Sequence, residues 1–584
     1  MRFTTIPVRQ STRDITESFY GYNHNLKIRK GEFFNTRNMT TAYYPMLAPR
    51  GKRGVVKKLS APGGLIEKDA LAYVDSGTLY YNDLPTSVSG LSQGEKQMVS
   101  MGAYICIFPD MVYYNTADPT DFGSMEADFE APGSVRYRLC KVDGSEYDTE
   151  PDVSDVEPEN PVNNQLWIDT SGSGTLLQYS SSSAMWIEVT GVYTKIIFST
   201  MGEIPRLFSR YDGVEISGAE FEDANGNHVL YEVGGEADKA EDFIVIVGLL
   251  PAAIEQTKGT VRIQRRLPKL DFVCECQNRL WGCFYGNDGK KNLNEIYCSA
   301  LGDFKNWKQF LGLSTDSWTA SVGSDGVWTG AVNYLGYPTF FKENIIHRVS
   351  VSAAGAHSIA ETPCRGVQKG SHKSLQVVNE TLYYKSRTDV CAWQGGFPEG
   401  VSKALGETRY SDAVAGSHGD RYYISMKSSK GEWNLFCFDI AKGLWMREDE
   451  LHAADFAKVD DELFCIDAES GELLGLFGIA GEQEEQVEWV AETGILYYEY
   501  PDKKYISRFN FRIKMEEGAE MKIYIQYDSM GEYIPCGEVK LTGTNTVTVP
   551  VKPRRCDHMR IRLEGHGDFR LFSIAKILEV GSDK

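Results

Sequence analysis

A short basic segment is the first place in this sequence where clustered side chains could do chemistry. Arg50, Lys52, Arg53, Lys57 and Lys58 fall within nine residues, in "NMTTAYYPMLAPRGKRG" and the strand-like "VVKKLS" that follows. Clustered cations can bind phosphate, but the segment lacks the phosphate-loop pattern and no groove-reading motif accompanies it. We therefore expect a docking surface, for an acidic partner or for the acidic body of the chain itself.

Cysteine and histidine spacings do not match known metal sites. One close cysteine set has C-x-C spacing without a second pair, which alternation along a strand explains equally well: Cys274, Cys276 and Cys283. Three histidines lie in one region at spacings unlike any metal-ligand motif: His347, His357 and His372. We expect buried free thiols, no metal, no cofactor and no catalytic residue, and therefore no enzyme.

Two further kinds of site stay open at this stage. The segment "LWIDTSGSGTLLQYSSSSAMW" places Trp167, Tyr179 and Trp186 close together, as sugar-stacking sites do, although such aromatics also form the core of a very small β-module. A glycosidase pair of carboxylates is defined by its separation in space, so the sequence does not locate one.

Charge is distributed unevenly along the chain. The 584 residues carry a formal net charge of −20, yet residues 1–60 hold 12 basic and 3 acidic residues, which leaves the rest at −29. No stretch approaches the roughly 18 apolar residues of a membrane-spanning helix, and the N-terminus lacks the apolar core of a signal peptide. We expect a soluble protein that is synthesised in a cytoplasm.

The elements that must position these residues are short strands. From about residue 70, aromatic or β-branched runs alternate with turns of Asn, Asp or Gly, as in "ALAYVDSGTLYYND", "FVCECQNRLWGCFYG" and "SLQVVNETLYYKS". Hairpins repeated at roughly 40 to 50 residues per sheet are typical of a β-propeller. The sequence therefore predicts an all-β protein with a β-propeller-like main domain over residues 61–130 and 196–480.

Three other regions break this pattern. Residues 1–60 are expected to be a docking segment that leads into the first blade, and residues 131–195 an inserted acidic linker with a small β-module. Within that insertion, "DGSEYDTEPDVSDVEPE" has eight acidic and no basic residues. Residues 487–584 alternate apolar and polar positions over several strands, which predicts a C-terminal antiparallel β-sandwich.

Several phrases resemble one family. "NMTTAYYPMLAPRGKRG", "FSRYDGVEISGAEF", "QNRLWGCFYGNDGKKNLNEIYCSALGDFKNW" and "PCRGVQKGSHKSLQVVNETLYYKSRTDVCAWQGG" resemble segments of the β-propeller nozzle or tail-tube proteins of short-tailed bacteriophages and the related DNA-stabilisation tail factors. The resemblance covers about residues 20–480. It departs at Asp389 and Val390, where the family often has Asp-Gly, and the insertion instead resembles modules of phage fibres.

The resemblance implies a structural virion protein in the phage tail, made in the bacterial host cytoplasm. It would form a cyclic ring of about six subunits, contact the adaptor or portal and other tail or fibre subunits, retain packaged DNA, and surround the channel for its ejection. An acidic lumen would let double-stranded DNA pass without sequence-specific binding.

Two alternatives belong to other classes. In one, the insertion or the sandwich binds cell-wall glycan of the host. In the other, the propeller is a glycan hydrolase or lyase, which requires carboxylates or histidines to converge at one end of its central channel.

Overall fold

The computed structural model describes residues 11–172, 174–236, 240–289, 291–352, 355–497 and 503–580. Within these ranges the chain is predominantly antiparallel β-sheet, with one short α-helix, Glu203–Leu207, and the 3-10 turns Glu222–Ala224, His372–Ser374 and Lys403–Leu405. None of the described helices has the length and apolar character needed to cross a membrane. The predicted all-β class, with a propeller, an insertion and a sandwich, is confirmed.

Seven blades form the propeller in the described chain, six of them four-stranded and the seventh with an additional short strand at its edge. The strands of blades 1 to 4 are, in order, Pro62–Glu67, Leu71–Asp75, Thr78–Tyr81 and Leu84–Pro85; Gln97–Met101, Tyr104–Phe108, Val112–Asn115 and Phe122–Ser124; Phe272–Glu275, Leu280–Asn287, Asn292–Cys298 and Trp318–Ser321; Gly330–Tyr334, Tyr337–Lys342, Ile345–Val351 and His357–Pro363. Blades 5 and 6 are Gln376–Val378, Thr381–Lys385, Val390–Trp393 and Glu399–Gly400; Tyr410–His418, Arg421–Ser428, Trp433–Asp439 and Leu444–Asp449.

Blade 7 closes the ring with a strand from the beginning of the chain. Its strands Ala453–Val459, Glu462–Asp467 and Glu472–Gly475 are followed on the outside by Gly54–Lys58, which also pairs with Glu482–Gln483. We expected the basic segment to lead into the first blade. Its strand Gly54–Lys58 forms part of blade 7, and the chain then enters blade 1 at Pro62. This strand comes from the beginning of the propeller sequence and pairs with strands from its end. The hydrogen bonds between them close the ring.

Apolar cores lie between neighbouring blades. Successive residues of a strand point to opposite faces of its sheet, so each blade contributes to the core on either side of it. In blade 6, Tyr422 packs with Val378 and Tyr383 of blade 5, whereas Tyr423 packs with Cys465 of blade 7. Two buried faces explain why the blade strands read as nearly continuous apolar runs.

Hairpin turns follow the local sequence. Gln277 and Asn278 both have positive φ, as do Asn379 and Glu380. Two consecutive positive-φ residues are the mark of the type I′ turn, whose twist matches that of the flanking strands.

The insertion between blades 2 and 3 is longer than we predicted. One of its sheets contains Ala127–Glu130, Arg262–Arg265, Gly213–Ser217 and Gly226–Val229, and a second contains Glu232–Glu236, Glu241–Val247, Tyr193–Phe198, Val135–Cys140 and Ile254–Gln256. The two sheets share one apolar core. Residues 196–265 therefore belong to the insertion, because their strands pair with strands of 127–140 rather than with a blade. A small sheet, Asp152–Ser154, Leu166–Asp169, Thr175–Ser180 and Met185–Glu188, extends from it.

The sandwich recruits strands from the N-terminal segment. One sheet is Ser11–Thr16, Phe569–Val580, Lys504–Met515 and Gly543–Pro550, and the other is Phe33–Arg37, Glu488–Thr493, Met559–His566, Glu520–Tyr527 and Ile534–Lys540. Phe19 and Phe33 lie in its core. A two-stranded hairpin, Met39–Thr40 with Ala48–Pro49, follows. The strands Ser11–Thr16 and Phe33–Arg37 are thus part of the sandwich, which corrects our division of the chain at residue 60.

Candidate functional site

The basic segment is a joint between propeller and sandwich. Arg53 is buried, with Nη2 2.8 Å from Oε2 of Glu448 and Nη1 2.5 Å from Oδ2 of Asp449. Burial opposes the charge on Arg53, but Asp449 and Glu448 outweigh it and raise the pKa of the guanidinium. The charge of Arg53 is therefore neutralised by carboxylates of the same chain.

The cations before Arg53 contact the acidic segment that precedes the sandwich. Arg50 donates to both carboxylate oxygens of Glu484, at 2.9 and 3.1 Å, and to Oδ1 of Asn38 at 2.8 Å. Lys52 donates to the backbone carbonyl of Glu485 at 2.8 Å. Of the two docking partners that the sequence left open, these contacts are with the acidic body of the chain.

The last two basic residues lie on the outer strand of blade 7. Lys57 donates to Oδ1 of Asp83 at 2.6 Å and to the Tyr73 hydroxyl at 2.9 Å. These two hydrogen bonds raise the pKa of the Lys57 ammonium. Lys58 is exposed. The five residues therefore do not converge on one outward-facing patch.

The aromatic trio of the insertion packs together and holds the acidic linker. The rings of Trp167 and Tyr179 each meet Trp186 edge-on, with centroids 5.4 and 5.3 Å apart. Trp167 is buried and donates its indole N–H to Ser154 at 3.0 Å, while half-buried Trp186 donates to Glu157 at 3.0 Å. This geometry fits the core of a small module, and it leaves part of Trp186 accessible.

The three histidines that we considered as metal ligands have different surroundings. His347 is buried with Nε2 2.9 Å from the Ser324 hydroxyl, and His357 stacks on Trp318 with ring centroids 4.7 Å apart. His372 lies at the end of the propeller channel. The described residues contain no group of three or more His, Cys, Asp or Glu that could hold a metal ion.

A cavity opens at one end of the central channel, beside the beginnings of several innermost strands, and we call it the propeller mouth. Its volume is about 340 Å³. Residues from blades 1, 6 and 7 and from the segments before blades 2 and 5 line it, and those with polar or aromatic side chains are Glu95, His372, Lys373, Asp412, Trp433, His452 and Asp455. The glycines Gly63 and Gly64 form part of its wall.

Lys373 is the centre of this cluster. Its ammonium lies 3.1 Å from Oε1 of Glu95 and 3.0 Å from Oδ2 of Asp455, and Nε2 of His372 is 3.3 Å from the same oxygen of Glu95. Only 17% of the Lys373 side chain is exposed. One largely buried cation thus joins a carboxylate of blade 7 to a carboxylate of the segment before blade 2.

These contacts set the protonation states. The His372 hydrogen bond, with the Lys373 charge, lowers the pKa of Glu95 to about 2. Burial opposes the charge on Lys373, but Asp455 and Glu95 outweigh it and raise the pKa of its ammonium. Glu95 is therefore ionised at pH 7 and can accept hydrogen bonds. A glycosidase would in addition need a carboxylic acid that keeps its proton near neutral pH.

Irregular strand pairing shapes the mouth. Three innermost strands shift register at this end, between Pro62 and Gly64 in blade 1, Ser411 and Val414 in blade 6, and Ala453 and Asp455 in blade 7. Bulges re-aim side chains and are over-represented near functional sites. Asp412 lies inside one of these shifts with φ of 51°.

Sequence reasoning missed most of this site. His372 entered only as a metal candidate, and Glu95, Lys373, Asp412 and Asp455 were not singled out. A signal was present, because each lies shortly before or at the start of an innermost strand. An alignment of the blade sequences on their innermost strands would have placed these four residues at similar positions.

The comparisons with known proteins give distant likenesses. No family model matches this sequence, and no curated protein matches it. Among solved structures, an exo-β-1,3-galactanase from Phanerochaete chrysosporium is 8% identical with a TM-score of 0.22, covering 52% of this chain and 94% of its own. The extracellular domain of a hybrid two-component system from B. thetaiotaomicron is 10% identical with a TM-score of 0.24, covering 89% and 90%. A family 43 arabinoxylan arabinofuranohydrolase from Bacillus subtilis is 10% identical with a TM-score of 0.14, covering 70% and 93%.

Our expectation that the chain is not an enzyme is contradicted by this comparison and is not retained. Both the galactanase and the arabinofuranohydrolase are enzymes that act on glycans, and a further similar structure is described as a glycoside hydrolase. At these identities and TM-scores, the likeness assigns no activity, substrate or catalytic residue to this chain.

Proposed function

We propose that this chain is a structural subunit of a bacteriophage tail. In that role it forms a ring connected to the adaptor or portal, retains packaged DNA and surrounds the channel through which the DNA leaves. The observation that carries the proposal is the position of the resembling motifs. Three of the four phrases contribute to joints that fasten the insertion and the sandwich to the propeller.

The joint to the insertion involves two of these motifs. Asn306, from "GDFKNW", donates through Nδ2 to the Tyr211 carbonyl at 2.8 Å and accepts from the Gly213 backbone N–H at 3.1 Å. Both partners belong to "FSRYDGVEISG". Beside them, Arg265 contacts Asp212 at 2.5 Å, and both side chains are buried.

The joint to the sandwich is the Arg50 and Arg53 segment described above. With both joints made of buried ion pairs and amide hydrogen bonds, blades, insertion and sandwich are connected by well-defined contacts. Subunits that keep one shape suit a closed cyclic assembly, because each interface must repeat in the same geometry.

Charge also supports the proposal. Because residues 61–584 carry −29, a ring of such subunits would present a predominantly acidic surface to DNA. Like charges on the lumen and on the phosphate backbone disfavour binding and allow passage.

The test is the oligomeric state of the purified full-length chain. Native mass spectrometry and negative-stain electron microscopy should show a ring of about six subunits with an axial opening, alone or with its adaptor. A chain that stays monomeric under both conditions would contradict the proposal.

A further inference from the structure

We infer that the propeller mouth binds a neutral saccharide unit through its hydroxyl groups. The proposed ring assembly neither requires nor supplies this site. The size, the charges and the free carboxylate oxygens of the cavity support this inference.

Size favours a small ligand. The cavity of about 340 Å³ is at the lower end of the roughly 300–1,000 Å³ of ligand sites. Its lining combines polar side chains with four glycines and with apolar residues such as Pro62, Val414 and Ile466, so it offers polar groups and apolar surface together. A purely apolar ligand would remove water from the free carboxylate oxygens of Glu95 and Asp412 without giving them partners.

Charge balance disfavours ions of either sign. A phosphate or a uronate would face the carboxylates of Glu95, Asp412 and Asp455. A lysine or arginine side chain would meet the Lys373 ammonium, which already lies within 3.1 Å of two of those carboxylates. A neutral ligand avoids both repulsions, and Lys373 already serves Glu95 and Asp455 as their shared counter-ion.

Hydrogen-bonding capacity then selects among neutral ligands. The described contacts engage Oε1 of Glu95 but not Oε2, and 58% of this side chain is exposed. Asp412 accepts from the Ser411 hydroxyl through Oδ2 at 3.0 Å, and its Oδ1 has no hydrogen-bond partner among the described residues. The three donors of the Lys373 ammonium are used by Glu95, Ala454 and Asp455. The two carboxylate oxygens that remain match neighbouring hydroxyls, which can donate to them.

An aromatic surface completes the site. Trp433 stacks on His452 with ring centroids 3.6 Å apart and 11° between their planes, and both line the cavity. Burial lowers the pKa of His452, so this imidazole is neutral at pH 7. The stack fixes the indole, whose large amphipathic surface suits contact with the C–H face of a sugar ring.

The experiment measures binding to the full-length chain at pH 7 by isothermal titration and saturation-transfer NMR. The probes are cellotetraose, maltotetraose and chitotetraose, with inorganic phosphate and tetralysine as charged comparisons. We expect at least one neutral oligosaccharide to bind, and Asp412→Asn and Glu95→Gln each to weaken that binding at least tenfold.

A matched control lies at the far end of blade 7. Asp461 is an exposed carboxylate in the turn after Ala453–Val459, and Asp461→Asn should bind as the wild type does. Thermal melting of each variant checks that the fold is intact. Binding that the two mouth variants leave unchanged, no binding by any neutral probe, or preferential binding of phosphate or tetralysine would overturn the inference. The oligomeric state of the same samples reports on the proposed function separately.

Discussion

Arg53 and Glu448 form a buried ion pair, with 2.8 Å between Nη2 and Oε2 and less than a tenth of either side chain exposed. Asp449 contacts the same guanidinium. Arg53 lies directly before the strand that closes blade 7, and Glu448 lies in the last strand of blade 6. The pair therefore fixes the segment that leaves the sandwich and enters the propeller.

Removing Arg53 should destabilise the fold. Arg53→Met leaves two carboxylates at a buried site without their cation, which we expect to cost about 3–5 kcal/mol. Urea unfolding monitored by tryptophan fluorescence measures the change. The matched control is Lys58→Met, on the exposed end of the same strand, which should stay within about 0.5 kcal/mol of the wild type. Equal stability of the two variants would contradict the joint.

Removing Asn306 should loosen the insertion. Asn306→Ala leaves the Tyr211 carbonyl and the Gly213 N–H without their buried partner, at a cost of about 1–3 kcal/mol. Limited proteolysis should then cut between the insertion and blade 3 faster than in the wild type. Asn227→Ala is the control, because Asn227 is exposed and its contact to Lys308 is long, at 3.4 Å. Unchanged cleavage of the Asn306 variant would show that this amide does not hold the joint.

Removing Trp167 should release the acidic linker. Its ring packs in the small module and its N–H holds Ser154, so Trp167→Ala should expose residues 143–159 to a glutamate-specific protease. Trp186→Ala should act in the same direction through Glu157, with a smaller effect because Trp186 is only half-buried. If Trp186→Ala instead abolished glycan binding without changing cleavage, the sugar-stacking hypothesis would be favoured for this trio.

Thiol reactivity should follow burial. All twelve cysteines are free, and ten are buried while Cys364 and Cys536 are half-buried. Burial raises the pKa of both half-buried thiols to about 11, which keeps them protonated at pH 8. Ellman's reagent should thus react slowly with the native chain and with twelve thiols in guanidinium. Rapid reaction of several thiols in the native chain would contradict the interblade packing.

Acid should reduce the stability that ionised Glu95 contributes to the folded chain. The pKa of Glu95 is about 2 in the folded chain and 4.5 ordinarily, so folding favours its ionised form. The resulting stabilisation is present above pH 4.5 and is lost as pH falls from 4.5 towards 2. Because more than half of Glu95 is exposed, solvent screens the interaction and we expect only about 0.5 kcal/mol.

Denaturant curves of wild type and Glu95→Gln at several pH values check this. Their difference in unfolding free energy should shrink across that interval, whereas the difference for Asp461→Asn should not follow it. A constant difference for Glu95→Gln would show that Glu95 is not paired in the folded chain.

The sequence by itself determined the class of the fold. Alternating aromatic and β-branched runs with short turns predict hairpins, because side-chain alternation and turn chemistry are local properties. The repeated hairpins predicted blades, and the period-two faces after residue 487 predicted sandwich strands such as Lys504–Met515. The acidity after residue 60 was likewise evident from composition alone.

Only the tertiary structure decided which strands pair across long separations. Gly54–Lys58 joins blade 7, Phe33–Arg37 joins the sandwich, and the strands up to residue 265 join the insertion, because such pairings depend on which faces remain to be buried. The same reason applies to the sites. The sequence suggested a surface cation at Arg53, which the structure buries against Glu448. Glu95, Lys373 and Asp455 form a cluster only because ring closure brings the beginnings of blades 2, 5 and 7 to a common mouth.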